Sequence, residues 1–411
     1  MPCIAASLGR CLRVHVVARG LEPRAAAPLA RAVVCAALLG LAACSTAPPP
    51  LPPAALWADA QFEATAPALD DARQALRASP AMLAWLASQP ALRPRAPHRD
   101  RALLALLDQA GALRLDYDAR RTRTAAEAFE ARQGNCLSLV LMTAALAEAM
   151  GLDLQFQQVE VDDNWRRQGD LFVSALHVNL VLTPPPISAT RLARGWQESL
   201  VVDFLPSDDL QRRRVRRITE ATVLAMYLNN RAAEHLLAAR FDAAYAAVRE
   251  ALRHDPQLSL AYNTLGVIYT RRGLARQAVL AFEHAQALSP DNLNVLANLA
   301  TAWRRAGDLP RAEALDRDLL RREPDPPYAY FDRGMAAMRA GRLLEARRWL
   351  EREVQRVPDE AEFRYWLAVV AFRLGDDASA QAQLSQAVVH SDNRDDRALY
   401  AAKLAWLRGP H

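Results

Sequence analysis

The C-terminal half of the chain carries Pro and Gly in two series with one constant spacing. The two series are Pro256, Pro290, Pro324 and Pro358, and Gly273, Gly307, Gly341 and Gly375. Gly273, Gly307 and Gly341 each lie midway between two Pro, so the period divides into two equal halves. The spacing is about 34 residues, a length typical of helical repeat units. Such a repeat predicts a stack of similar units, because one unit alone cannot bury its apolar face.

Within one unit, apolar and small residues occupy positions suited to two packed helices. The unit that starts at Ser259 contains Tyr262, Leu265, Gly266, Tyr269, Ala278, Phe282, Ala285 and Pro290. This pattern resembles the tetratricopeptide repeat (TPR), a helix-turn-helix unit of about 34 residues. The resemblance implies an all-α solenoid that binds a protein or peptide partner in its groove. A rigid spacer or an oligomerisation module is the alternative.

In this register, residues 225–394 hold five TPR-like repeats. They start near Ala225, Ser259, Leu293, Pro327 and Ala361. Ala recurs at the close-packing position of every repeat, as Ala244, Ala278, Ala312, Ala346 and Ala380. The first repeat has Ala239 where the others have the turn Gly, which is typical of a capping repeat. Residues 395–411 are expected to form a capping helix and tail at the other end.

The first 43 residues have the layout of a secretory signal peptide. Five Arg precede or flank an apolar stretch, Ala32 to Ala43, that is too short to span a bilayer as a helix. The sequence Leu41-Ala42-Ala43-Cys44 resembles the lipobox of bacterial lipoproteins. The resemblance implies cleavage before Cys44, acylation of that Cys and attachment to a membrane of the cell envelope. Ser45 resembles the sorting residue of outer-membrane lipoproteins, which face the periplasm. An ordinary signal peptide cut nearby, or a later start codon, is the alternative.

The segments that flank the central domain are expected to be linkers. Residues 44–58 carry five Pro after the lipidation site and predict a semi-rigid tether. Residues 211–224 contain five Arg and predict a solvated basic linker. The net charge of +5 comes from Arg spread along the chain, and no nucleic-acid-reading module accompanies it, so nucleic acid is not an expected partner.

Residues 59–210 predict an α+β domain with short helices at its N-terminal end. A capping box, Thr124 with Glu127, begins one helix, and an apolar helix runs from Cys136 to Met150. Three strand-like runs follow: Leu152 to Val161, Ala175 to Leu182 and Ser199 to Phe204. The last two alternate apolar and polar residues, so they favour a small antiparallel sheet against the buried helix.

The central domain also contains a combination of residues suited to nucleophilic catalysis. Of the five Cys, three lie in the leader and Cys44 is the lipidation candidate, so Cys136 is the remaining thiol. It lies at the start of a helix, where unpaired amides and the helix dipole favour a thiolate. His177 and Asp203 lie on the corresponding faces of two predicted strands and supply a base and an orienting carboxylate.

Three short motifs carry a resemblance to the transglutaminase-like superfamily, which shares the Cys-His-Asp logic of papain-like proteases. They are Gly134-Asn135-Cys136, His177-Val178-Asn179 and Val202-Asp203-Phe204, and the resemblance covers about Asp116 to Pro206. It implies that Cys136 attacks a carbonyl, His177 transfers the proton and Asp203 orients the imidazole. The Cys136 N–H is the expected oxyanion donor, with Gln133 or Trp165 as candidates for a second. Hydrolysis is favoured over transfer to an amine.

Two other interpretations stay open. His177 could be a hydrogen-bonded sheet residue, Asp203 a strand-end cap and Cys136 an inert buried thiol. The protein would then be a non-catalytic TPR adaptor lipoprotein with a degenerate transglutaminase-like fold. No metal is expected, because one Cys and one His do not make a ligand set, and no cofactor is expected, because the chain lacks a Gly-rich phosphate loop.

Overall fold

The computed structural model describes the backbone of residues 15–19, 54–63, 72–94, 98–107, 113, 115–118, 121–159, 165–168, 171–174, 177–183, 199–204, 214–325, 328–391 and 394–409. The predicted lipidation site, Cys44, and the predicted cleavage site before it lie outside these residues. Among the described helices, none is both long and apolar enough to cross a bilayer.

In the part of the central domain that the structure describes, four α-helices accompany a five-stranded sheet. The helices are α1 (Pro80–Ser88), α2 (Arg99–Leu107), α3 (Ala125–Ala131) and α4 (Cys136–Ala149). The sheet is formed by β1 (His15–Arg19), β4 (Asp153–Val159), β7 (His177–Thr183), β8 (Ser199–Asp203) and β9 (Val215–Ile218), in the order β1-β8-β7-β4-β9. Every pair of neighbouring strands in it is antiparallel, as the alternating sequence pattern predicted.

Helix α4 forms the centre of the domain core. Eleven consecutive residues of this helix, from Leu137 to Ala147, are buried. Its leucines share a core cluster with Val178, Leu180 and Leu182 of β7. A helix that is apolar on all sides needs neighbours on all sides, which explains why it lies between the sheet and the N-terminal helices.

Two smaller strand pairs accompany the main sheet. Strands β2 (Asp116–Tyr117) and β3 (Gln133–Gly134) pair in parallel, just before α4. Strands β5 (Trp165–Gln168) and β6 (Leu171–Ser174) form an antiparallel hairpin, which the sequence pattern did not predict. Strand β6 of this hairpin contacts the repeats, as described below.

The expectation of a basic linker over residues 211–224 needs correction. Within this run, β9 pairs with β4 at the edge of the sheet, with Val215 opposite Val159 and Ile218 opposite Phe156. Arg216 and Arg217 are exposed, whereas Ile218 is buried. Charged residues are common on edge strands, where they oppose pairing with further chains. Because the segment is rich in Arg, its composition predicted a linker and not a strand.

A strand also lies within the predicted leader. Strand β1 pairs antiparallel with β8, and the register places His15 opposite Asp203. The signal-peptide prediction for these residues did not include a strand. The unpaired backbone groups of an edge strand can accept any extended segment, and removal of the leader would leave β8 as the sheet edge.

The C-terminal region is a helical solenoid of five antiparallel helix pairs and a final helix. The pairs are α5 (Glu220–Leu237) with α6 (Phe241–His254), α7 (Ser259–Arg271) with α8 (Ala275–Leu288), α9 (Leu293–Arg305) with α10 (Leu309–Arg322), α11 (Ala329–Arg339) with α12 (Leu343–Arg356), and α13 (Ala361–Arg373) with α14 (Asp377–His390). The final helix, α15 (Arg394–Arg408), packs on α14. The first helix begins at Glu220, capped by Thr219, and so starts earlier than the predicted Ala225.

The repeated residues have the packing roles that the period predicted. All five Ala of the close-packing series are completely buried. Gly273, Gly307, Gly341 and Gly375 turn the chain with φ between +75° and +88°. Ala239 replaces them in the first repeat and still adopts φ +55°. A Cβ at Gly266 would come within 2.6 Å of the Phe282 ring, so Gly is needed where the two helices touch.

Part of the predicted tether is packed onto the repeats. Residues 54–63, which we call the N-terminal strap, lie against α6 and α7. The Tyr269 hydroxyl donates to the Leu56 carbonyl at 2.8 Å, and the Tyr245 hydroxyl donates to Asp59 at 2.7 Å. The Phe62 ring stacks on Tyr245 with centroids 4.0 Å apart. The boundary predicted at residue 58 therefore falls inside one packed segment.

Candidate functional site

Cys136 is the first residue of α4, and hydrogen bonds hold the start of this helix in place. The Asn135 side chain accepts from the backbone N–H of Ser138 at 2.9 Å, so it acts as the N-cap. The Asn135 amide also donates to the Thr122 hydroxyl at 2.9 Å. The thiol is partly exposed, although most of the helix is buried. The local sequence thus fixes a partly exposed thiol at the positive end of a helix dipole.

His177 and Asp203 are brought to the same place by adjacent antiparallel strands. The His177 Nε2 lies 2.7 Å from the Asp203 Oδ1, and both side chains are almost completely buried. The Cys136 thiol is a further hydrogen-bonding partner of His177. Because Nε2 faces the carboxylate, Nδ1 is left for the thiol. The structure therefore brings together the three side chains that the sequence singled out.

The surroundings of His177 favour its protonated form. Burial lowers the pKa of His177, but hydrogen bonds to Asp203 and Cys136, together with their negative charges, outweigh burial and raise the pKa to about 9. At neutral pH the imidazole is then a cation between a carboxylate and the thiol sulfur. The thiolate is the nucleophilic form of Cys, and a neighbouring imidazolium is the kind of group that favours it.

Asn179 is a fourth member of this group, although its place in a short motif did not predict a separate role for it. Its Nδ2 donates to the Asp203 Oδ2 at 3.1 Å. The register that pairs Leu180 with Val202 puts Asn179 opposite Asp203. Asn179 must turn its amide N–H to the carboxylate, and its buried Oδ1 then has no partner among the described residues. His177 and Asn179 are two residues apart on one strand, so they share a face of the sheet, and this spacing could have predicted that Asn179 lies beside His177.

The two candidates for a second oxyanion donor lie in different places. Gln133 is half-buried in β3, three residues before Cys136, and pairs in register with Asp116. Trp165 begins β5, and its side chain lies outside the described residues. In the part of the chain that the structure describes, no three His, Cys, Asp or Glu side chains are grouped in a way that could hold a metal ion.

The hairpin of the central domain covers part of the repeat array. Strand β6 contacts α7 and α9, the first helices of the second and third repeats. On these helices, Asn263 and Asn298 are completely or almost completely buried, and the Asn298 amide donates to Asn263 at 2.9 Å. The face formed by the first helices of these two repeats is therefore occupied by the chain itself.

Comparison with known families identifies the repeats. A family model described as tetratricopeptide repeat matches residues 265–327, 297–360 and 331–405. The helix pairs, the turn glycines and the buried Ala series agree with this match. The C-terminal region is thus a solenoid of TPR units. No curated protein matches the chain.

Several solved TPR structures are similar to the same region. YrrB, described as a TPR protein with an unusual peptide-binding site, is 22% identical and aligns with 44% of this chain and 92% of its own, with a TM-score of 0.24. A TPR protein of Thermus thermophilus is 23% identical over 44% of this chain and 99% of its own, with a TM-score of 0.31. PilW, a type IV pilus biogenesis factor, is 20% identical over 45% of this chain and 86% of its own, with a TM-score of 0.28.

Proposed function

We propose that this protein is a cell-envelope lipoprotein whose central domain is a thiol-dependent acyl hydrolase or transferase of the transglutaminase-like type. The observation that carries the proposal is the arrangement of Cys136, His177 and Asp203, in which His177 contacts both other side chains. The TPR units bind a protein or peptide partner and so bring substrate to the domain. The lipid on Cys44 holds the protein at a membrane. We infer that this is the outer membrane and that the protein faces the periplasm.

The chemistry follows from the protonation state of the pair. The Cys136 thiolate attacks an amide or ester carbonyl, and the oxyanion that forms is stabilised by unpaired N–H groups at the start of α4. The His177 imidazolium then donates its proton to the leaving amine or alcohol as the bond to the carbonyl breaks. Water, activated by the neutral imidazole, attacks the thioester and releases the acid and the thiol. An amine in place of water would give acyl transfer.

Thiol reactivity tests the enzymatic proposal. The full chain is treated with iodoacetamide at pH 6.5, and mass spectrometry follows the peptide that contains Cys136. We expect Cys136 to react on the order of tenfold faster than glutathione, because a thiolate is the reacting species. The His177→Ala variant should react at the rate of an ordinary thiol. A wild-type Cys136 no faster than glutathione would favour the non-catalytic adaptor instead.

Metabolic labelling tests the membrane anchor. Cells that express the full chain should incorporate labelled palmitate into the protein, and the Cys44→Ala variant should lose this label. Cys136→Ala is the matched control, because it removes the other thiol of the predicted mature chain and should keep the label. Label that persists in Cys44→Ala would contradict the lipoprotein assignment.

A further inference from the structure

The fourth repeat, α11 with α12, carries a cluster of aromatic and Arg side chains at its surface. The Tyr330 and Trp349 rings stack with centroids 5.7 Å apart and planes 13° apart. The Arg333 guanidinium lies 5.1 Å from the Trp349 centroid, and that of Arg352 lies 5.3 Å from the Tyr330 centroid. We call these four residues the arginine–aromatic face.

The two Arg of this face are available for a partner. Both side chains are exposed, and neither forms an ion pair with any residue that the structure describes. Nearby carboxylates are already engaged: buried Glu353 pairs with Arg356, Glu345 pairs with Arg342 and accepts from the Trp349 indole, and Asp325 accepts from the Tyr330 hydroxyl. Because both side chains are exposed and lie beside aromatic rings, their N–H groups are accessible to a partner.

Arg333 departs from the pattern of the other repeats. The equivalent residues in the second, third and fifth repeats are Leu265, Leu299 and Leu367, which are at most 4% exposed. In the first repeat the position holds Arg231, which is paired with Glu234. An exposed Arg at a position that contributes to the core in three of the other four repeats is not required for packing, and this points to binding.

The junction before the fourth repeat leaves this face uncovered. Val295 and Leu299 of the third repeat belong to the large core shared with the central domain, whereas Phe331 and Leu350 pack with the fifth repeat in a separate cluster. On α10, the only buried residue is Ala312, and Leu309 and Leu320 are half exposed. The third repeat therefore packs less closely against the fourth than the other neighbouring repeats pack against each other.

The chemistry of the face identifies its partner. A guanidinium presents a fork of N–H donors that matches a carboxylate in a bidentate manner. Two such forks beside an aromatic pair fit alternating acidic and apolar side chains. We propose that the arginine–aromatic face binds an acidic, extended segment of a protein partner, an inference that rests on the partner-binding role proposed for the repeats but not on activity of Cys136.

Fluorescence anisotropy tests this inference with the full chain and a short labelled peptide in which Glu pairs flank single Phe residues. We expect the wild type to bind this peptide on the order of tenfold more tightly than an analogue with Gln in place of Glu. Arg333→Glu and Arg352→Glu should each weaken binding by on the order of tenfold. Arg276→Glu, which changes an exposed Arg of the second repeat, should change affinity less than about twofold.

Three results would overturn the inference. One is equal affinity of the wild type for the Glu and Gln peptides, and another is unchanged binding by both face variants. The third is that a single-stranded oligonucleotide or anionic phosphatidylglycerol vesicles bind more tightly than the Glu peptide, and that Arg333→Glu and Arg352→Glu abolish this binding. The face would then recognise phosphate. Circular dichroism of each variant should show unchanged helix content, because both residues are exposed. Iodoacetamide reactivity of Cys136 reports separately on the proposed enzyme.

Discussion

The Glu234 carboxylate, on the first helix of the repeat array, accepts a hydrogen bond from the backbone N–H of Thr122 in the central domain. The Thr122 hydroxyl in turn accepts from the amide of Asn135, and Asn135 caps the helix that begins at Cys136. Thr122 and Asn135 are buried. A continuous set of hydrogen bonds thus connects the first TPR unit to the residue that precedes the proposed nucleophile.

Removal of the Glu234 carboxylate should therefore affect the thiol. In Glu234→Ala, the buried Thr122 N–H loses its acceptor, so the free energy of unfolding should fall by about 1–3 kcal/mol. The loop that supports Asn135 would loosen, and the rate of Cys136 alkylation at pH 6.5 should fall on the order of tenfold. Urea denaturation and mass spectrometry measure the two effects.

Glu313→Ala is the matched control for this prediction. Glu313 is exposed on α10, the second helix of the third repeat, with Arg317 at 4.0 Å as its partner. Its replacement should change the free energy of unfolding by no more than a few tenths of a kcal/mol. The rate of Cys136 alkylation should stay at the wild-type value. An alkylation rate that Glu234→Ala leaves unchanged would show that the repeats do not position the thiol.

The raised pKa of His177 makes stability depend on pH. Its pKa is about 9 in the folded protein and about 6.5 in an unfolded chain, so the contribution of His177 is fully present below pH 6.5. That contribution should be lost as the pH rises to about 9, with a slope of at most about 1.4 kcal/mol per pH unit for one proton. Urea denaturation at a series of pH values measures it.

The variant His177→Gln should remove this pH dependence between 6.5 and 9. Asp203→Asn should reduce it, because the carboxylate is one of the groups that raise the pKa of His177. A wild-type stability that is flat over this range, or falls equally in His177→Gln, would contradict the assigned charge state.

Ala239 should be a site at which Gly stabilises the protein. A non-Gly residue at positive φ costs about 1–2 kcal/mol, and Ala239 has φ +55° at the turn where the other repeats have Gly. Ala239→Gly should raise the free energy of unfolding by about 1 kcal/mol, as measured by urea denaturation. Ala336→Gly, at an exposed helical position, should instead lower it by about 1 kcal/mol. A loss of stability in both variants would refute the argument.

The N-terminal strap should be released when its aromatic anchor is removed. Tyr245→Phe keeps the ring that stacks on Phe62 but removes the hydroxyl that bonds Ala58 and Asp59. Phe62→Ala removes the stacked ring as well and should have the larger effect, about 1–2 kcal/mol. Limited proteolysis should then cut within residues 54–63 faster than in the wild type.

Phe372→Ala controls for the loss of an aromatic ring elsewhere. Phe372 is 42% exposed on α13, far from the strap in the repeat order. This variant should leave the rate of cleavage within residues 54–63 unchanged. Cleavage at the wild-type rate in Phe62→Ala would mean that the strap is not held by its aromatic contacts.

Local patterns in the sequence predicted most of the elements, and their failures have a common cause. The basic run hid β9, because two exposed Arg stand between Val215 and the buried Ile218. The Pro-rich segment predicted a tether, but Ala58 bonds Tyr245, 187 residues further along the chain. Composition describes a segment by itself, whereas these two segments are ordered by neighbours that are distant in sequence.

For the candidate site, residue types and their order along the chain pointed to Cys136, His177 and Asp203, and their proposed catalytic roles await the thiol experiments. The contributions of Asn179 and Glu234 were not apparent, because each depends on strand register or on how two domains meet. The local sequence indicates where a helix starts and where a strand alternates. It does not indicate which distant residue will form a hydrogen bond with a given carboxylate.

The sequence by itself determined the repeat architecture, because a constant period lets each unit bury its apolar face against the neighbouring units. It also determined that the one thiol of the central domain begins a buried helix. Only the tertiary structure decided that this helix start is bonded to the first repeat, that a hairpin and the strap cover the early repeats, and that the fourth repeat is left exposed. Those features depend on contacts between distant segments, which are fixed by shape and hydrogen bonding after the elements have formed.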